Sequence, residues 1–133
     1  MIYLDTSVAL AHLLVEDQSP PDRLWQETLI SSRLLEYEVW TRIHARNLTR
    51  SHSDEVRSLL NRIAFIELFP PVLTRALEPF PKPVRTLDAL LAEAVRQGWI
   101  TPPALASPTP PPRNPVMSFR ELKRQLDDDR SDR

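Results

Sequence analysis

Residues 1–7 read MIYLDTS, a short apolar run that ends on the carboxylate of Asp5. Apolar residues without polar alternation predict a buried strand of a parallel sheet, whose two faces are both covered. A carboxylate at the end of such a strand lies where open α/β sheets bind their ligands. In a second interpretation, Asp5, Thr6 or Ser7 simply caps a helix that begins there. Taken alone, the stretch does not choose between the two.

Length and composition predict one domain with an appendage. The 133 residues are 41% hydrophobic, which is enough for one core. The net charge of −1 offers no global attraction to nucleic acid, so RNA binding would depend on a local patch. The absence of cysteine excludes thiolate metal sites and fits the cytoplasm. Since no apolar run suits a membrane span or a signal peptide, we expect a cytoplasmic protein without membrane contact.

The order of apolar segments predicts an α/β fold. Three short apolar runs are typical of strands: residues 1–4, 28–32 and 65–69. Segments with apolar residues three or four apart predict helices: residues 6–15, 22–27, 33–46, 51–63, 72–78 and 86–97. Strands that alternate with helices imply a central parallel sheet covered by helices.

The composition changes at Gly98, the single glycine of the chain. Of the 14 prolines, seven fall in residues 102–115, which predicts an extended segment. We therefore expect an α/β domain over residues 1–97 and a proline-rich tail over residues 98–133.

A capping-box pattern predicts a helix within this tail. Ser118 and Glu121 stand three residues apart, and Phe119, Leu122 and Leu126 follow helical spacing. Such a short amphipathic helix is marginal alone, so its apolar stripe needs a groove.

Three carboxylates follow the expected sheet edge: Asp5, Glu38 and Asp88. Mg²⁺ is held by a few carboxylates with waters and substrate phosphates, and it activates water for phosphodiester hydrolysis. Glu36 and Glu38 cannot both be ligands, because residues two apart lie about 200° apart around a helix. Each carboxylate alone is more simply a solvated charge or a partner of the helix dipole. The three together favour a metal site.

These residues resemble the PIN-domain toxins of the VapBC toxin–antitoxin systems. The resemblance covers residues 1–90 and is carried by MIYLDTS, by SSRLLEYEV at residues 31–39 and by RTLDAL at residues 85–90. It implies an α/β/α sandwich with a central parallel sheet and a Mg²⁺- or Mn²⁺-dependent endoribonuclease that cleaves RNA. It also implies a homodimer and a cognate antitoxin as partner.

The resemblance also assigns roles to individual residues. Asp5, Glu38 and Asp88 are implied as the catalytic and metal-binding residues, and Thr6 as their support. Glu38 is preferred to Glu36 because it stands six residues after Ser32, as in the family's pattern.

After Leu90 the sequence departs from these toxins, which continue with another helix–strand unit and a fourth acidic residue. We therefore expect a sandwich truncated at its C-terminal end. Residues 98–133 instead resemble the C-terminal half of a Phd/YefM-type antitoxin. A natural fusion, an internal deletion and an artificial join all remain open.

The tail suggests two roles for its charged residues. Arg113 or Arg120 is predicted to reach the acidic cluster and take the metal's place, which would inhibit the site in cis. The alternative is that both are solvated charges on a tail. The acidic run of residues 127–129 either replaces the missing carboxylate or is solvated. Likewise, the basic residues of the second and third helices either contact RNA phosphates or form a solvated face: Arg42, Arg46, Arg50 and Arg57.

Two functions therefore follow from the sequence. The first is a toxin ribonuclease that acts through Mg²⁺ or Mn²⁺, and the three retained carboxylates favour it. The second is a non-catalytic, self-inhibited or remnant fusion that acts by protein–protein binding, with an antitoxin or its own tail as partner. The missing fourth carboxylate favours this second function.

Overall fold

The computed structural model describes residues 1–67, 70, 97–101, 103–104 and 107–131. The described elements follow in this order: β1 (Ile2–Tyr3), α1 (Thr6–Leu14), a 3-10 helix (Asp22–Gln26), β2 (Leu29–Ser32), α2 (Arg33–Ala45), α3 (Thr49–Leu60), β3 (Ile63–Ile66), β4 (Ile100–Thr101) and α4 (Phe119–Ser131). The helix predicted over residues 72–78 lies outside the described residues, and so does the helix predicted over residues 86–97 apart from its last residue. No helix in the described ranges is long and apolar enough to cross a bilayer.

The described strands form one sheet in the order β1-β2-β3-β4. β1, β2 and β3 are parallel, with Ile30 opposite both Tyr3 and Ala64. β4 runs antiparallel to β3, and Ile100 pairs with Ile66. The mixed α/β fold with a largely parallel central sheet is thus confirmed.

Some element boundaries differ from those predicted. β3 spans Ile63–Ile66 and begins two residues before the predicted start, because α3 ends at Leu60 and the apolar run after Arg62 immediately joins the sheet. Residues 68–69 of the predicted strand lie outside the described residues. β4 was not predicted, since a strand of two residues shows no periodicity. α3 begins at Thr49, two residues before the predicted start. α4 is longer than expected, and the Ser118 hydroxyl accepts a hydrogen bond from the Glu121 amide at 3.3 Å, as the capping-box pattern predicted.

β1 differs from the buried strand that its apolar residues predicted. Ile2 and Tyr3 are 37% and 55% exposed, whereas the next residue, Leu4, is 1% exposed. β1 pairs with β2 on one side and is an edge strand of the described sheet, which leaves its other side uncovered. The buried residue of the opening stretch is therefore Leu4.

Alternate strand residues belong to two hydrophobic clusters. Leu29 and Phe65 lie in the main core with residues of α1, α2 and α3, which contact one another. Ile30 and Ala64 pack instead with Ile100 of β4. Because successive strand residues point to opposite faces, the sheet buries apolar side chains on both sides.

Residues on both sides of the expected boundary at Gly98 share this sheet and core. Ile100 joins the sheet, and Leu122 of α4 is 1% exposed within the main core. Between them, the C-terminal arm (residues 107–117) follows the end of α1. The Val116 amide donates to the Leu14 carbonyl at 2.8 Å, and the Glu16 amide donates to the Met117 carbonyl at 2.8 Å.

Buried side chains of the domain also hold the arm. His12 Nε2 donates to the Pro111 carbonyl at 2.9 Å, and His52 Nε2 donates to the Asn114 carbonyl at 2.6 Å. The guanidinium of Arg62 donates to carbonyls at two further positions of the arm, Ser107 and Thr109. These contacts satisfy backbone groups that a proline-rich segment cannot pair in a sheet.

His12 is held in its neutral form. It is 1% exposed, and burial lowers its pKa from 6.5 to about 4. Its Nδ1 has no hydrogen-bond partner among the described residues, so protonation there would bury an uncompensated charge. The unfolded chain binds a proton at this side chain more readily than the folded chain, which makes stability depend on pH.

Leu122→Ala tests whether α4 is part of the core. We expect it to lower the free energy of unfolding by about 2–5 kcal/mol, because a buried leucine leaves a cavity when it is truncated. Leu34→Ala is the control: Leu34 is 48% exposed, and a change within about 0.5 kcal/mol is expected. Urea unfolding of both variants measures the difference. Equal effects would show that α4 contributes no more than a surface helix.

His12→Gln tests the pH dependence of folding. We expect the unchanged chain to lose stability as the pH falls from 6.5 to about 4, since the folded state resists protonation in that window. His12→Gln removes this titration and should reduce the loss of stability over this pH window. His44→Gln, at an exposed position, is the control. The measurement is the free energy of urea unfolding over this pH range. Parallel curves for all three proteins would contradict the assignment.

Candidate functional site

Asp5 is fixed where β1 ends at the sheet edge. The Leu4 amide donates to the Ile30 carbonyl at 2.8 Å, and the Ser31 hydroxyl donates to the Leu4 carbonyl at 2.9 Å. Asp5 then caps α1: its Oδ1 accepts from the Ser7 amide at 2.8 Å and from the Ser7 hydroxyl. Its Oδ2 receives no hydrogen bond within the described ranges. Asp5 is thus both the N-cap and the carboxylate that ends the strand.

Glu38 lies beside Asp5 and is held by Thr6. The Thr6 hydroxyl donates to Glu38 Oε2 at 2.5 Å, across the junction of α1 and α2. A cavity of about 210 Å³ is lined by Asp5, Thr6 and Glu38 together with residues of β1, β2 and α2. The sequence separates Asp5 and Glu38 by 33 positions, and the crossover between parallel strands brings them together.

The same three residues line a second cavity of about 190 Å³, which we call the acidic pocket. Its lining is Asp5, Thr6, Ser7, Glu38, Arg42, Leu126 and Asp129. The last two residues come from α4, so the tail forms one wall of the pocket. Of the acidic run at residues 127–129, Asp129 lies in this pocket, where it is the partner of Arg42.

Glu36 points to a different group of charges. Arg33 donates to Glu36 at 2.9 Å and, through Nε, to Glu67 at 3.1 Å, while the Thr101 hydroxyl donates to Glu67 at 2.5 Å. Hydrogen bonds from Arg33 and Thr101 lower the pKa of the Glu67 carboxyl. Glu36 therefore pairs with Arg33 and points away from Asp5, whereas Glu38 points toward Asp5. This agrees with helix geometry, because residues two apart lie on nearly opposite faces of a helix.

Glu67 is a carboxylate at the sheet edge that the sequence analysis missed. It follows β3 directly, whereas Leu4 separates Asp5 from β1. That position after an apolar run was the available signal. Its ion pair with Arg33 ties the end of β3 to the start of α2.

The oxygen donors of the pocket suit Mg²⁺ or Mn²⁺. Asp5 and Glu38 each have one carboxylate oxygen without a hydrogen bond from the described part of the chain, and Mg²⁺ accepts one or two protein carboxylates with waters. Among the residues described, no three acidic or histidine side chains form a metal-binding group. Asp88, the third predicted ligand, lies outside the described residues.

Neither arginine proposed to inhibit the site reaches it. Arg113 donates to the Val15 carbonyl at the C-terminal end of α1, whereas Asp5 caps the N-terminal end. Nine helical residues separate these ends, about 14 Å. Arg120 is exposed on α4 and has no ion pair with the described residues. The arm approaches α1 from its far end, which explains why Arg113 lies away from the carboxylates.

Comparison with known protein families identifies the family to which the fold belongs. The sequence profile of the PIN domain matches residues 2–100. Comparison with curated proteins and with solved structures gives no significant match. PIN domains are generally Mg²⁺-dependent nucleases, and many are the toxins of toxin–antitoxin pairs. Since the match covers most of the chain and agrees with the sheet and its edge carboxylates, the chain belongs to the PIN-domain family.

Proposed function

We propose that the chain is a Mg²⁺- or Mn²⁺-dependent endoribonuclease of the toxin type. The observation that carries the proposal is the meeting of Asp5 and Glu38 in one pocket at the carboxyl edge of a parallel sheet. The nuclease chemistry follows from the PIN-domain family. The choice of RNA as substrate, and of a cognate antitoxin and a second copy as partners, rests on the resemblance to VapBC toxins.

Two carboxylates would hold the metal through their remaining oxygens, with Asp88 as the proposed third ligand. A bound Mg²⁺ lowers the pKa of a water and neutralises charge on the phosphate. The Ser7 amide holds one Asp5 oxygen, and the Thr6 hydroxyl holds one Glu38 oxygen. These hydrogen bonds restrict rotation of both carboxylates, which preorganises the ligand set before a metal arrives.

A second candidate function is supported by α4. Leu126 and Asp129 form one wall of the acidic pocket, and Asp129 pairs with Arg42 there. A chain held in this state would act by protein–protein binding without cleaving RNA. The two functions separate on one variant: Asp5→Asn abolishes cleavage if the chain is an enzyme and leaves partner binding intact if it is a binding module.

Glu38→Gln tests the metal site directly. We expect Mn²⁺ affinity to fall more than about tenfold, because even residues that only orient a metal ligand contribute about tenfold or more. Glu36→Gln is the matched control, since it carries the same charge change on the same helix but pairs with Arg33. Isothermal titration or the Mn²⁺ electron paramagnetic resonance signal measures binding. Equal losses in both variants would contradict the assignment.

Asp5→Asn tests catalysis. With a single-stranded RNA and Mg²⁺ or Mn²⁺, we expect the full chain to cleave, chelation to stop cleavage, and Asp5→Asn to slow it at least about a hundredfold. Asp22→Asn, an exposed acid at the start of the 3-10 helix, is the control for lost charge. Gel analysis of end-labelled RNA gives the rates. Undiminished cleavage by Asp5→Asn would indicate a contaminating nuclease and contradict the proposal.

A further inference from the structure

A line of charged residues runs along α2 away from the acidic pocket. Glu38, Arg42 and Arg46 stand four residues apart, so they lie on one face of the helix and its C-terminal cap, about one turn from each other. Glu38 and Arg42 both line the acidic pocket. Two guanidinium groups are therefore placed in succession beside the carboxylates proposed to hold the metal.

α4 covers these two guanidinium groups with acceptors at the same spacing. Asp129 pairs with Arg42, and one turn earlier Gln125 Oε1 accepts from Arg46 Nε at 2.7 Å. The two helices thus match turn for turn along this contact. Asp129 is 40% exposed and the Arg42 side chain 26% exposed, so the pair lies at the margin of the interface.

Arg46 has no carboxylate as a direct partner among the residues that the structure describes. Its acceptor on α4 is the neutral amide of Gln125, and it also donates to the Arg42 carbonyl at the end of α2. Burial lowers the pKa of Arg46 and the positive charge of Arg42 lowers it further, whereas the more distant charges of Asp129 and Glu121 raise it. A phosphate would replace the neutral amide acceptor with charged oxygens in direct contact with the guanidinium.

We propose that Arg42 and Arg46 bind the phosphate backbone of single-stranded RNA beside the acidic pocket, and that α4 occupies this surface when RNA is absent. Asp129 and Gln125 then stand where phosphate oxygens would lie. RNA as the ligand rests on the proposed function. The arginine surface and its cover rest on the contacts above.

The fold allows the cover to leave without loss of the core. Asp129 lies in the last turn of α4, whereas Leu122, one of its most buried residues, lies near the first turn. The arm fixes that first end through backbone hydrogen bonds to α1. The last two turns of α4 carry both Gln125 and Asp129. Turns at a helix end open at low free energy, so RNA can displace these two turns while Leu122 stays in the core.

RNA binding by the full chain tests the proposal, with EDTA present so that no cleavage is required. We expect Asp129→Asn to tighten binding of a fluorescent single-stranded RNA about two- to fivefold, the range set by a partly exposed ion pair. Asp128→Asn is the matched control: it changes the net charge equally, but Asp128 is 63% exposed and pairs with Arg124. Fluorescence anisotropy at low and high salt measures affinity, and the gain should vanish at high salt.

Arg42→Gln completes the test. It should weaken RNA binding, and Asp129→Asn should give no gain in its background, since the two act through one contact. Equal gains in RNA affinity from Asp129→Asn and Asp128→Asn would show that only the net charge matters, and this would overturn the proposal. Unchanged RNA affinity in Arg42→Gln would also overturn it, and would leave Arg42 as an anchor for α4.

Hydrogen exchange provides a readout that does not depend on any variant folding. Saturating RNA should speed exchange of amides in residues 125–131 and leave α1 unchanged. Faster exchange supports displacement of these last two turns, and unchanged or slower exchange there overturns it. If the chain binds RNA through Arg42 and Arg46 but shows no metal-dependent cleavage, only the proposed ribonuclease function is refuted. Cleavage without any effect of Asp129→Asn would refute this inference alone.

Discussion

The hydrogen bonds that hold Leu4 against β2 determine the geometry on which the site depends. The Leu4 amide and carbonyl both bond to β2, through the Ile30 carbonyl and the Ser31 hydroxyl. Leu4 is buried, while the strand residues before it are exposed. The chain is thus fixed at the point where the strand ends and α1 begins. Asp5 follows at once and caps the helix, which leaves its second oxygen available at the sheet edge.

The parallel sheet converts distant sequence positions into neighbours. Because parallel strands present their carboxyl ends at one edge, Asp5, Glu38 and Glu67 all follow or flank that edge. Hydrogen bonds then divide these carboxylates into two groups. Arg33 engages Glu67 together with Glu36, and Thr6 holds Glu38 beside Asp5. The cations of the site are divided in the same way, since Arg33 belongs to one group and Arg42 to the acidic pocket.

The C-terminal arm and α4 belong to the same physical unit as the sheet. From buried positions, His12 and His52 donate hydrogen bonds to carbonyls of the arm, and Leu122 of α4 lies in the main core. A proline-rich segment offers few amide donors, so its fixed carbonyls need donors from the domain. This arrangement places α4 against α2, and it is the reason that a tail residue, Asp129, reaches the pocket.

The sequence by itself determined the α/β class, the pairing of strands with helices and the position of Asp5, because these depend on local apolar runs and on the residue that ends a strand. Helix geometry also excluded Glu36 and Glu38 as joint ligands, and the family resemblance favoured Glu38. Tertiary structure alone decided which residues contact the sheet edge and its carboxylates. β4 is too short for a periodic signal, and the contacts of Arg113 and Asp129 depend on where the arm crosses α1. Such long-range contacts follow from packing in space, which spacing along the chain does not encode.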